Sequence, residues 1–165
     1  MGRISHRDLQ EYFRAGNAGF WKYEYEEGKN PRLYTDEITD ALFGTTEDMG
    51  PEERYEFIEA HIHPQESASF GEYLEELRLH ESEIIYRYMH PEKGLIYVRC
   101  TGRRIPSTDG VIRIIGYHQE ATDVVHFEKG KLLENRLLQQ NQQLKDANRN
   151  QDTYYQELLD TISFG

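Results

Sequence analysis

The amino-acid sequence predicts an α+β fold: a five-stranded antiparallel sheet with helices on one face, followed by a long α-helix or coiled coil. Three observations predict it. Apolar and polar residues alternate in two stretches before Asp36 and in three more after His80. Between those points the apolar spacing turns helical. Beyond Asp123 the chain becomes a Gln-, Asn- and Lys-rich stretch with spaced leucines, with no proline and only Gly130 as a breaker.

The elements follow in order. Ser5 is placed to cap a short helix, within residues 1–16, whose Leu9, Tyr12 and Phe13 share a face. Phe20 to Glu26 alternates strictly, with Trp21, Tyr23 and Tyr25 on one side, which reads as a half-buried strand. Gly28–Pro31 turns the chain into a short partner strand, Arg32–Thr35. Ile38, Leu42 and Phe43 suit a helix closed by Gly44. A second helix opens at Pro51 and carries Tyr55, Phe57 and Ile58. A third opens at Pro64, with Phe70, Tyr73, Leu74 and Leu77 inward and Glu72, Glu75 and Glu76 outward. Glu83–His90, Leu95–Ile105 and Val111–Ala121 read as a three-stranded meander, turned at Pro91–Gly94 and Thr108–Gly110. Asp123 is a candidate N-cap for the last helix, predicted over 124–162. In a heptad frame one seam holds Leu133, Gln140, Ala147 and Tyr154, and the other Leu137, Leu144, Gln151 and Leu158. A seam that is half polar makes a weak coiled coil; the alternative is a lone polar helix bridging domains.

Charge and composition narrow the function. The 165 residues carry a net charge of -11, and residues 1–123 hold 14 Lys+Arg against 24 Asp+Glu. Such an acidic surface repels phosphate backbones and anionic lipid, so neither nucleic acid nor direct membrane contact is expected. The one cysteine, Cys100, rules out an internal disulfide framework and fits a reducing compartment; the expected location is cytoplasmic. No apolar run approaches the ~20 residues needed to span a bilayer.

Several short motifs, in order, resemble the PAS domain, in the subfamily common in bacterial sensor histidine kinases and cyclic-dinucleotide signalling proteins. They are Ala18-Gly19-Phe20-Trp21-Lys22-Tyr23, Leu33-Tyr34-Thr35-Asp36, Ala41-Leu42-Phe43-Gly44 and Ile62-His63-Pro64. Tyr86 to Pro91 with Gly94, Asp109-Gly110, Ile115-Gly116 and Ala121-Thr122-Asp123 complete the set. Two departures stand out. Gln65-Glu66 replaces the usual pair of acids, and Tyr97-Val98 stands where a Trp is commoner. The resemblance implies a PAS domain over 17–123 and a signalling helix over 124–162. Residues Leu159–Gly165 resemble the approach to a second such domain, so a further domain is expected to begin at 163–165.

The resemblance also frames the candidate site. It turns the face of Val98, Cys100 and Gly102 toward the helices, and with it that of Ile112, Ile114, Gly116 and His118. The pocket candidates are therefore Trp21, Tyr23, Val98, Cys100, Ile114 and His118. In flavin-binding relatives the position two beyond the last-strand glycine touches the ligand, and here it is His118. Three readings of it stay open: a satisfied core histidine, a contact to an organic ligand, or a haem ligand. Cys100 lies in a strand and lacks the Asn-Cys-Arg-Phe-Leu-like context of light-sensing relatives, so a buried, inert thiol is expected. His61-Ile62-His63 invites a metal reading, but two ligands need a third and fourth from elsewhere, and His63 is explained as a helix-opening residue. No phosphate loop or nucleophile elbow occurs.

The expected function is a sensory module, not an enzyme. It binds a small molecule or dimerises, and it relays through Thr122, Asp123, Leu137 and Leu144 to a downstream output domain. A homodimer is the expected state, and neither flavin nor haem is expected. A ligand-free dimerisation module and, in another class, a metal-dependent enzyme are the alternatives.

Overall fold

A computed structural model of the chain describes residues 5–163. It separates into two units, 1–122 and 123–165. In the first, a short helix α1 (His6–Ala15) leads into strands β1 (Ala18–Tyr25) and β2 (Arg32–Thr35). Helices α2 (Glu37–Phe43), α3 (Pro51–His61) and α4 (Ser67–Glu76) follow, with a 3-10 turn at Pro64–Glu66. Strands β3 (Ser82–His90), β4 (Gly94–Ile105) and β5 (Ile112–Glu120) complete one antiparallel sheet of order β2-β1-β5-β4-β3.

Local chemistry explains where the elements begin and end. Asp36 caps α2 by accepting from Thr39 N at 2.9 Å, and its second oxygen accepts from Phe20 N at 3.0 Å. Thr39 Oγ1 donates back to the Phe20 carbonyl at 3.1 Å. One helix start is thus tied to one point on β1. Gly44, at φ 74°, closes α2 in the left-handed region that favours glycine. Pro51 sits in the first turn of α3, where its missing N–H costs nothing.

The core lies between the sheet and α2–α4. Trp21, Tyr23, Leu33, Tyr86, Tyr88, Val98, Cys100 and Ile114 face Phe43, Ile58, Tyr73 and Leu77 across it. The other face of β1 is polar around Glu24, whose carboxylate meets Arg113 at 3.2 Å, Arg32 at 3.3 Å and Lys22 at 3.1 Å.

In α1, Phe13 packs edge-on to Phe20 at 4.4 Å, while Leu9 and Tyr12 of the same face are exposed. In α3, Ile58 is buried with Tyr55 and Phe57 packed against the same core, and Arg54 is buried as well, reaching Asp40 at 3.2 Å and the Thr46 carbonyl at 2.8 Å. Tyr55 and Phe57 are only partly covered. His61 ends α3; its Nδ1 is 2.7 Å from the Phe57 carbonyl and its ring stacks on Phe57.

The second unit is helix α5, which runs Thr122–Ser163. It starts one residue before the predicted cap, which puts Asp123 in the first turn, where a carboxylate suits the helix dipole. Its 42 residues reach roughly 60 Å. Ser163 is still helical, and residues 164–165 of the anticipated further domain lie outside the described residues. Among the described residues no helix is long and apolar enough to cross a membrane.

Candidate functional site

A cavity lies between the inner face of the sheet and helices α3 and α4. The sheet supplies Trp21, Tyr23, Leu33, Tyr86, Cys100 and His118. The helical side supplies Tyr55, Ile58, Glu59, Ile62, Phe70, Tyr73 and Leu74. It encloses about 30 Å³. A site for a drug-sized ligand is roughly tenfold larger or more.

The strand register sets the floor. Gly102 and Gly116 are direct partners across β4 and β5, and Gly116 also pairs with Trp21. A Cβ added at either glycine would come 2.8 Å from the Trp21 ring. Two glycines side by side therefore create the slot that holds the indole flat on the sheet. Next along the strands, His118 pairs with Cys100, and its ring lies 5.4 Å from Trp21 and 4.7 Å, edge-on, from Phe43.

The polar groups fall into two classes. Tyr73 donates to the Cys100 carbonyl at 3.2 Å and lies 3.3 Å from Cys100 Sγ. Tyr55 donates to Glu59 at 3.0 Å near the rim. By contrast Trp21 Nε1, Tyr86 Oη and His118 Nδ1 are buried with no hydrogen-bond partner among the described residues. Burial pushes the Cys100 thiol up to about 12, so it stays protonated and unreactive. Burial likewise lowers His118 to about 3, and the ring is neutral at physiological pH.

Solved structures share this architecture. No protein-family model and no curated protein matches the chain. A sensory box histidine kinase/response regulator from Burkholderia thailandensis matches with a TM-score of 0.62 at 18% identity, over 80% of this chain and 98% of that one. The N-terminal domain of a diguanylate cyclase with PAS/PAC sensor from Marinobacter aquaeolei matches with a TM-score of 0.50 at 15% identity, over 62% and 95%. A domain assigned to a light and redox sensing histidine kinase of Haloarcula marismortui gives 0.54 at 18% identity, over 71% and 100%. The chain has the PAS fold.

Within this PAS fold the predicted pocket residues divide. Trp21, Tyr23, Cys100 and His118 line the cavity; Val98 and Ile114 do not. Both are fully buried on the expected face. Val98 pairs with Glu120 at the end of β5, and Ile114 pairs with Tyr23 on the far side of the Trp21 slot. Each sits level with a residue that does line it, since Val98 also pairs with Tyr86 on β3 and Tyr23 is the partner of Ile114. Tyr86, Tyr73, Tyr55 and Phe70 were not anticipated as a lining. The alternating Ile84, Tyr86, Tyr88 of β3 carried a signal for Tyr86, and two aligned strand glycines carried one for the Trp21 slot.

His118 is buried against Trp21 and Phe43, and its Nδ1 has no hydrogen-bond partner among the described residues. His63 takes the structural role: its Nδ1 accepts from Gln65 N at 3.3 Å at the start of the 3-10 turn. Among the described residues no group of three His, Cys, Asp or Glu is placed to hold a metal. Thr122 joins the sheet to the last helix. Its Oγ1 accepts from Tyr97 N at 3.0 Å and donates to Glu120 at 3.1 Å, while Ala121 N donates to the Tyr97 carbonyl at 2.8 Å. Leu137 and Leu144 are exposed on α5.

Proposed function

We propose that the chain is the sensory module of a multidomain signalling protein. In this reading the PAS domain receives a small molecule in its aromatic cavity, the protein pairs through α5 as a parallel homodimer, and the helix carries the change to a downstream output domain. The module binds and relays; it is not an enzyme. One observation supports the relay above all: β5 passes through Ala121 and Thr122 directly into a 42-residue helix with exposed Leu133, Leu137, Leu144 and Leu158 at heptad spacing. Leucines left exposed at that spacing are buried when a second copy supplies the matching seam. Gln140 and Gln151 in the same seam keep the pairing modest, as a two-state element requires. The histidine kinases and the diguanylate cyclase that share the fold are likewise signalling proteins. Flavin and haem do not suit this cavity, because about 30 Å³ is far smaller than either would need.

Sedimentation of the wild type and of Leu137→Ser/Leu144→Ser tests the pairing. The wild type is expected to dimerise at micromolar to millimolar concentration and the double variant to be about tenfold or more weaker, with its PAS domain folded. Equal dimerisation would move the interface off α5, and a wild type that stays monomeric throughout would remove the relay.

A further inference from the structure

Helix α5 carries a second apolar row beside the seam assigned to pairing. Tyr155, Leu159 and Ile162 stand at i, i+4 and i+7, the spacing of one helix face, and are 54%, 58% and 74% exposed. Tyr155 and Leu159 each come one residue after a seam position, Tyr154 and Leu158, so the row is turned about 100° from the seam. A two-stranded pair covers its own seam and leaves a face at that angle largely open. Upstream the same face carries Asn141, Asn148 and Asp152, which confines the row to the last turns. Scattered exposed apolar residues are ordinary; an aligned row calls for cover.

Charge decides what covers it. Residues 124–151 hold five Lys+Arg against three Asp+Glu, whereas residues 152–165 hold Asp152, Glu157 and Asp160 and no Lys or Arg. The chain changes sign where the row begins. A further pair of α5 ends laid against the row would gather four such acidic segments with no positive charge among them, and they would repel. An anionic membrane surface is refused for the same reason. A helix whose own apolar stripe is bordered by Lys and Arg answers both the row and the acids near it, Asp152 three residues before Tyr155 and Asp160 next to Leu159. We propose that Tyr155, Leu159 and Ile162, with Asp152 and Asp160, form the docking face for a basic amphipathic helix of a partner protein. This rests on the pairing of α5, which sets the face left open. A symmetric pair presents the face twice, on opposite sides, so each chain takes one partner helix.

Two short dye-labelled helical peptides serve as probes. They share one leucine stripe at i, i+3, i+4 and i+7 and differ in its borders, lysine in one and glutamate in the other. The full chain is expected to bind the lysine-bordered peptide saturably below about 1 mM, one per chain, and the glutamate-bordered peptide not at all, as fluorescence anisotropy reads. Leu159→Ala/Ile162→Ala keeps the helix and removes the row, and should bind about tenfold or more weakly. Asp152→Asn/Asp160→Asn should bind about fivefold more weakly. Equal binding of the two peptides would overturn the basic partner. Undiminished binding to Leu159→Ala/Ile162→Ala would put the peptide on another surface and overturn the docking face. A wild type that sediments as a tetramer, and as a dimer once the row is replaced by alanine, would name further copies of the chain as the occupant and overturn it too. Absence of saturable binding would end the proposal outright. Pairing itself is read separately, by sedimentation of Leu137→Ser/Leu144→Ser, so the failure of one reading is distinct from the failure of the other.

Discussion

Tyr86 and Tyr88 stand two residues apart on β3, both fully buried, and differ in one bond. Tyr88 donates to the Phe43 carbonyl at 2.9 Å, at the end of α2. Tyr86 has no partner among the described residues. Removing each hydroxyl in turn therefore asks two different questions of similar surroundings. Tyr88→Phe deletes a bond and strands a buried carbonyl, which costs about 1–3 kcal/mol. Tyr86→Phe deletes a group already desolvated without compensation, so the ligand-free variant is expected to be unchanged or more stable by up to about 1 kcal/mol. The two should differ by about 2 kcal/mol. With a urea dependence of about 1–3 kcal/mol per molar, that separates their midpoints by roughly 1 M. Equilibrium urea unfolding followed by Trp21 emission measures it, provided the slopes agree. If Tyr86→Phe loses as much as Tyr88→Phe, the Tyr86 hydroxyl already has a partner in the folded protein, and the reasoning from the two hydroxyls fails.

Two further outcomes follow from the same core. Trp21→Ala should destabilise the domain by about 3–5 kcal/mol, since nothing else fills the slot over Gly102 and Gly116; a loss below about 1 kcal/mol in a denaturant titration would mean the indole is not packed there. His118 has its folded pKa lowered to about 3, against about 6.5 unfolded. Its contribution is therefore fully present above pH 6.5 and is lost as pH falls toward 3, because only the unfolded chain takes up the proton in that window. The stability of the wild type relative to His118→Gln should fall by about 1.6 kcal/mol between pH 6.5 and 5, the slope steepening from half to nearly the full value of about 1.4 kcal/mol per pH unit. A difference flat with pH would show the ring to be solvated.

Much of this protein was legible one residue at a time. The alternation from Phe20 to Glu26 puts Trp21 and Tyr23 inward whatever the rest of the chain does, because strand side chains point to opposite faces by turns. Asp36 and Gly44 mark the ends of α2 through groups only a few residues away. The spaced leucines after Asp123 declare a helix whose apolar residues need cover. These are consequences of neighbours in sequence, and the sequence alone determined them, down to the five strands and the helix that follows.

Other features required the fold. Arg54 on α3 is buried, because Asp40 arrives from α2 to meet it. Val98 and Cys100 share a face, yet only Cys100 borders the cavity, where Tyr73 from α4 reaches it. Tyr86 and Tyr88 read alike as letters of one alternating strand. Only the placement of α2 supplies a carbonyl to one and nothing to the other. Periodicity follows from the backbone's own geometry. A hydrogen-bond partner or a gap depends on which distant element comes within a few ångströms, and only the packed chain decides that.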